Sequence, residues 1–222
     1  MRGSSLAIIV TAITLAPSVS EAQIFRRPAR TEPAVWISAG VGYYNPGDVS
    51  DGATSSIWDW GGTAQYRGTL ELPVGRNYTL GVTGTYADMP LRYQRVDENF
   101  GPEAGVDAHA KIWSALGTFH VSATSGFHQI IDISAGVIGY QKFTTDADGT
   151  PLPPAGTDAD FMVSLGYGVG YAFTPRTELA LVQEYGYAFH QHDNLPGNAG
   201  TSSRQTALRV SLRVGLGHRP GI

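Results

Sequence analysis

From Asp160 to Phe173 the chain alternates without a fault between two kinds of residue. Phe161, Val163, Leu165, Tyr167, Val169, Tyr171 and Phe173 take one parity, while Met162, Ser164, Gly166, Gly168, Gly170 and Ala172 take the other. Side chains two apart share one face of a strand. One face of this ribbon is therefore apolar throughout and the other is almost entirely small. Wound as a helix, the same residues would mix both sets around the axis, and the glycines would weaken it. The last run repeats the pattern with charge: Leu208, Val210, Leu212, Val214 and Leu216 oppose Arg209, Ser211, Arg213 and Gly215.

Six further runs alternate in the same way. Val35, Ile37, Ala39, Val41 and Tyr43 form the apolar face of the first predicted strand. Trp60, Ala64, Tyr66, Leu70 and Leu72 mark the second, opposite Gln65, Arg67, Thr69 and Glu71. Tyr78, Leu80, Val82 and Tyr86 mark the third, and Trp113, Ala115, Phe119 and Val121 the fourth, opposite Ser114, Thr118 and His120. Ile131, Ile133, Ala135 and Val137 oppose Asp132, Ser134 and Gly136 in the fifth. In the seventh, Leu179, Leu181, Tyr185, Tyr187 and Phe189 oppose Glu178 and Glu184, and Gln183 interrupts the apolar face as a bulge or interface position.

The connections alternate in length. Those at 73–77, 123–126 and 174–176 are short, and those near 45–56, 88–107, 144–159 and 190–203 are long and polar. Long loops at one end and short turns at the other are the asymmetry of bacterial membrane barrels. In hydrocarbon no backbone N–H or C=O can stay unpaired, so strands cross only as a closed sheet. The expected fold is all-β: a closed up-and-down antiparallel transmembrane barrel of eight strands, with short periplasmic turns and long extracellular loops. A soluble barrel is the competitor, and it would turn the apolar face inward.

The N-terminus supports export. Arg2 precedes the apolar run Leu6–Ala16, and Ser20-Glu21-Ala22 offers small residues for cleavage before Gln23. The expected organisation is a signal peptide at 1–22, a periplasmic lead-in at 23–33, the barrel at 34–218 and a tail at 219–222. No later stretch approaches the ~18 uninterrupted apolar residues of a membrane helix. Cysteine is absent, which suits passage through an oxidising periplasm. A net charge of -4 with no Lys/Arg-rich run argues against a nucleic-acid partner.

The layout resembles the eight-stranded outer-membrane barrels of the OmpA-like, OmpW-like and opacity-type group. The segment from Phe173 through Thr174-Pro175 to Glu184-Tyr185-Gly186-Tyr187 is similar to their penultimate hairpin. The resemblance implies residence in the bacterial outer membrane. Such barrels usually end on an aromatic residue, whereas this chain ends His218-Arg219-Pro220-Gly221-Ile222.

Several residues carry potential chemistry. The inward parity holds Arg67, Glu71, Asp132, Glu178, Glu184, Arg209 and Arg213. These are expected to form a lumenal ion-pair network, with Glu184 level with Arg209, because a buried charge needs a partner. His120 and Ser122 share a face at the periplasmic end, where lipid A chemistry would not reach them. His190 and His192 share a face as well, with no third metal ligand evident. The acidic residues Asp48, Asp51, Asp97, Glu98, Glu103, Asp107, Asp146, Asp148, Asp158 and Asp160 could bind Ca²⁺ or pair with lipopolysaccharide through divalent cations, but read more simply as solvated loop residues. No catalytic, cofactor or metal site is expected. The expected partners are membrane lipid, lipopolysaccharide and the barrel assembly machinery, with the barrel a monomer. Two roles follow: a structural barrel with a surface-interaction role, or a narrow pore for small or hydrophobic solutes. A lipid A-modifying enzyme is a distant third.

Overall fold

Alternation of this length commits the chain to strands, and only pairing around a closed ring satisfies every strand edge. The computed structural model describes residues 32–97, 101–123, 125–190 and 202–219. The expected signal peptide, His192, Glu98 and the tail beyond Arg219 lie outside them. The strands are β1 (Val35–Pro46), β2 (Val49–Asp51), β3 (Ser56–Trp60), β4 (Thr63–Pro73), β5 (Tyr78–Asp97) and β6 (Gly101–Pro102). They continue as β7 (Val106–Val121), β8 (Gly126–Thr145), β9 (Asp158–Thr174), β10 (Thr177–Phe189) and β11 (Ser202–Leu216). Eight of these are long. β1, β4, β5, β7, β8, β9, β10 and β11 pair antiparallel in that order, and β11 returns to β1 to close the barrel.

The outer and inner faces follow the parity read from the sequence. Leu208, Val210, Leu212 and Leu216 are exposed and Val214 is half-exposed, while Arg209, Ser211 and Arg213 are buried. On β9, Phe161, Leu165, Tyr167, Tyr171 and Phe173 are exposed, and Val163 and Val169 are half-exposed. Rings gather at both edges of this band. Tyr78 stacks on Phe119 and Tyr171 meets Phe173 edge-on near the short turns, while Phe161 stacks on Phe189 near the long loops.

The structure departs from expectation at 88–107. This stretch is largely strand: β5 and β8 each run 20 residues, about twice the ~9–11 that a tilted strand needs to cross hydrocarbon. Beyond the apolar band the barrel changes sides. Asp88, Arg92, Asp107, His109 and Lys142 face out, while Met89, Leu91, Tyr93, Ala110, Tyr140 and Phe143 are buried. The change occurs within the unbroken strand β5, where outward Val82 and Tyr86 give way to outward Asp88. Here the apolar parity of β5 points inward through Ala87, Met89, Leu91 and Tyr93, and with polar residues on the outward parity the stretch reads as loop in the sequence, although its backbone is paired.

Trp60 is a second correction. Its parity places it with outward Ala64 and Tyr66, yet it is buried inside. Trp60 pairs with Leu91 in β5, whereas Gln65 pairs with Ala87, so five residues on one side span four on the other. One extra residue reverses the faces. The bulge lies at Gly61-Gly62, where Gly61 N–H donates to the Pro90 carbonyl over 2.8 Å. A Cβ on Gly62 would fall on the Tyr43 hydroxyl. Pro90, which has no N–H to give a ladder, is tolerated beside this irregularity. The gap near 45–56 also contains structure, the hairpin of β2 and β3. Gln183 lies in regular register between Tyr167 and Leu208, half-exposed on the outer face, and the irregularity of that pair falls between Thr177 and Glu178 instead.

Candidate functional site

In the lumen the strands aim charges at each other, and the structure sets there, each buried, the seven charged residues expected to face inward. β4 sends Arg67 across to β10, where its Nη1 donates to Glu184 Oε2 over 2.7 Å. The Arg209 Nε lies 3.5 Å from the same oxygen, and its Nη2 donates to Asp132 Oδ2. Asp132 also holds the Nδ1 of His120 at 2.6 Å. Nearer the short turns, Arg213 donates to Glu71 Oε2 from Nη2 (2.6 Å) and Nε (3.1 Å), with Glu178 3.5 Å away. His128 comes within 3.4 Å of Glu178.

The register puts Arg209 opposite Val182 and Glu184 opposite Ala207, two residues from the level expected. The long side chains close that offset. The shortest contacts of Arg67, Arg209 and Arg213 reach past the neighbouring strand, a consequence of a ring narrow enough for side chains of separate strands to meet, while His120 and Asp132 pair between neighbours. Sequence reasoning left out His128 and a chain of hydroxyls, Thr69, Thr83, Thr118 and Ser134, linked at 2.8–3.0 Å. Their inward parity was the available signal.

Rings border both ends of this ionic zone. Toward the short turns, the Arg213 guanidinium sits 4.1 Å from the Trp36 ring centroid, a cation–π contact. Ser122 Oγ accepts from Arg213 Nη1 at 3.3 Å, so Ser122 and His120 serve two separate ion pairs and do not form a nucleophile–base couple. Toward the long loops, Trp58, Trp60, Tyr93, Tyr140 and Phe143 pack into an aromatic cluster with Trp58 fully buried. The Trp58 ring lies 4.7 Å from Phe143 and 5.7 Å from Tyr140, and its Nε1 donates to Ser56 Oγ at 2.8 Å.

Above the cluster stands a group that the sequence scattered. His190, just beyond the end of β10, meets Asp160 of β9 through Nδ1 at 2.9 Å. Its Nε2 lies 3.5 Å from Asp51 Oδ1, on the β2–β3 hairpin, and Asp158 is 4.0 Å from Nδ1. Asp51 and Asp160 are each 1% exposed, so they are not the solvated loop residues expected. Burial alone would depress the imidazole, but its contacts with Asp160 and Asp51 outweigh that and raise His190 to about 9. Burial would likewise raise Asp51, and contacts with His190, the Thr54 hydroxyl and the Ala53 N–H bring it below its usual range.

The side of the sheet that carries the apolar residues separates a membrane barrel from a soluble one. Here it is the outside, over a band bounded by rings, with ions within. The chain forms a closed antiparallel β-barrel with the apolar outer face of a membrane-spanning one. No family model and no curated protein matches it. Among solved structures it is similar to Neisserial surface protein A (NspA), at 14% identity over 82% of this chain and 97% of that one, with a TM-score of 0.49. It is also similar to the outer membrane protein OprG from Pseudomonas aeruginosa, at 10% identity over 83% and 94%, TM-score 0.46. Ail, the attachment invasion locus protein of Yersinia pestis, matches at 12% identity over 81% and 98%, TM-score 0.43.

Proposed function

We propose that this protein is a non-conducting barrel of the bacterial outer membrane, with a structural and surface-interaction role. The observation that carries the reading is the filled lumen. An ionic zone joined across the interior and a core cluster with its aromatic rings follow one another along the axis, and a cation–π pair of neighbouring strands lies at the short-turn end. A path for solute would need the paired ions to part and the rings to move. Buried charges resist the first, because each would lose its partner, and close packing resists the second.

The loop end then faces outward from the cell, as long connections do in bacterial barrels. There the barrel continues beyond the apolar band as a rigid stem with a polar exterior of Asp59, Asp88, Arg92 and Lys142. Such a stem suits contact with lipopolysaccharide headgroups and holds the loops away from the membrane. The apolar band meets lipid, the assembly machinery inserts the barrel, and it works as a monomer. No reaction is assigned to it.

Planar-bilayer recording of the purified, refolded barrel tests the reading. Electrical silence is expected. Discrete, reproducible openings would instead establish a narrow pore.

A further inference from the structure

We propose that Asp51, Asp158 and His190 form a binding site for a divalent transition-metal ion of the Zn²⁺ class, which clips the β2–β3 hairpin to the ends of β9 and β10. One donor atom from each of the three lies within 4.8 Å of the other two. The set mixes one imidazole nitrogen with carboxylate oxygens, the donors that suit first-row transition ions. Ca²⁺ fits it poorly, since that ion seeks ~6–8 oxygens.

The orientation of His190 adds a second argument. Its Nδ1 lies 2.9 Å from Asp160 and 4.0 Å from Asp158, and its Nε2 turns toward Asp51. A carboxylate behind a histidine is the usual support of a metal-bound imidazole, fixing its tautomer and ring plane. The Nε2–Asp51 Oδ1 separation of 3.5 Å is long for a hydrogen bond. It matches two ligands that share one ion at about 2.0–2.2 Å from each. The site also has a reason to bind. Three carboxylates, Asp51, Asp158 and Asp160, face one imidazole beside the apolar rings of Trp58 and Tyr140, which lie 5.5 and 6.4 Å from it. A dication is drawn to carboxylates, and more strongly where apolar rings exclude water.

The three ligands come from separate parts of the chain, so the ion would tie the β2–β3 hairpin to the ends of β9 and β10, with which it shares no ladder. This lies beyond the non-conducting role, and bilayer recordings do not bear on it.

Co²⁺ is the probe. The refolded full-length barrel is titrated with Co²⁺ while its visible d–d absorption is followed, and Zn²⁺ is then added to displace it. A saturable band at one Co²⁺ per barrel, bleached by Zn²⁺, is expected. The band should be lost in Asp158→Asn and His190→Gln, weakened about 10–100-fold in Asp160→Asn, and kept in His109→Gln, a histidine on the outer face. Asp158 is partly exposed, so its variant spares the fold, and unchanged heat-modifiable mobility on gels verifies this. Absence of a band in the wild type at millimolar Co²⁺ overturns the site. So does a band that survives in Asp158→Asn, or one lost equally in His109→Gln.

Discussion

Arg67 and Glu184 stand 117 residues apart in the chain and meet across the lumen, Nη1 to Oε2, at 2.7 Å. Glu184 also faces Arg209 at 3.5 Å, so this one carboxylate serves two guanidiniums. Glu184→Ala leaves both without it. Removing one partner of a buried pair costs about 3–5 kcal/mol, and a loss of that order is expected in urea unfolding of the barrel in lipid vesicles. Unchanged unfolding would mean that the pair carries no net stability.

The outward parity makes Val210 a test of lipid contact. It lies between Val41 and Leu181 in the apolar band. An arginine there is expected to cost about 2–4 kcal/mol if the residue meets the bilayer near its midplane. The same vesicle unfolding reads it, and a near-zero cost would place the residue away from hydrocarbon.

Two glycines separate close approach from mere smallness. A Cβ on Gly168 would fall on the Leu181 carbonyl and lie 2.7 Å from Val182 Cα, so backbone must move. Gly68 on β4 has nothing within 4 Å. Gly168→Ala should destabilise by about 1–3 kcal/mol, while Gly68→Ala should stay within about 0.5 kcal/mol. Equal effects would refute the tight inner approach of β9 and β10.

Trp58→Ala removes the centre of the aromatic cluster. Truncating a buried tryptophan costs about 3–5 kcal/mol. The loss should be local, with hydrogen exchange rising in β3 and in the Leu91–Arg95 part of β5, the residues paired with it, more than in the middle of β9. Uniform acceleration around the ring would contradict a separate loop-end core.

Much of the barrel was legible because a period of two is hard to mistake when one parity is all apolar. The inside of β9 and β11, and the inward set from Arg67 to Arg213, follow from counting alone. What escaped had physical causes. Asp88 and Arg92 occupy the outward parity that Val82 and Tyr86 hold lower in the same strand, and a reader expecting grease there sees a loop. Trp60 escapes the count because the Gly61-Gly62 bulge reverses it without altering composition. The rim group around His190 was invisible for another reason. Asp51, Asp158 and Asp160 share no motif spacing with His190, and only closure of the sheet brings them to one place.

The exchange of sides within β5 has a further consequence. One continuous ladder runs through two solvents, and each half is built for its own. Where oil surrounds the wall, folding gains little from hiding grease, and the interior can be spent on ions. Where water surrounds it, the ordinary drive to bury rings returns, and the loop end packs as a small soluble protein would. The two halves should then answer differently to their surroundings: detergent or lipid thickness acts on the lower one, denaturant and temperature on the upper.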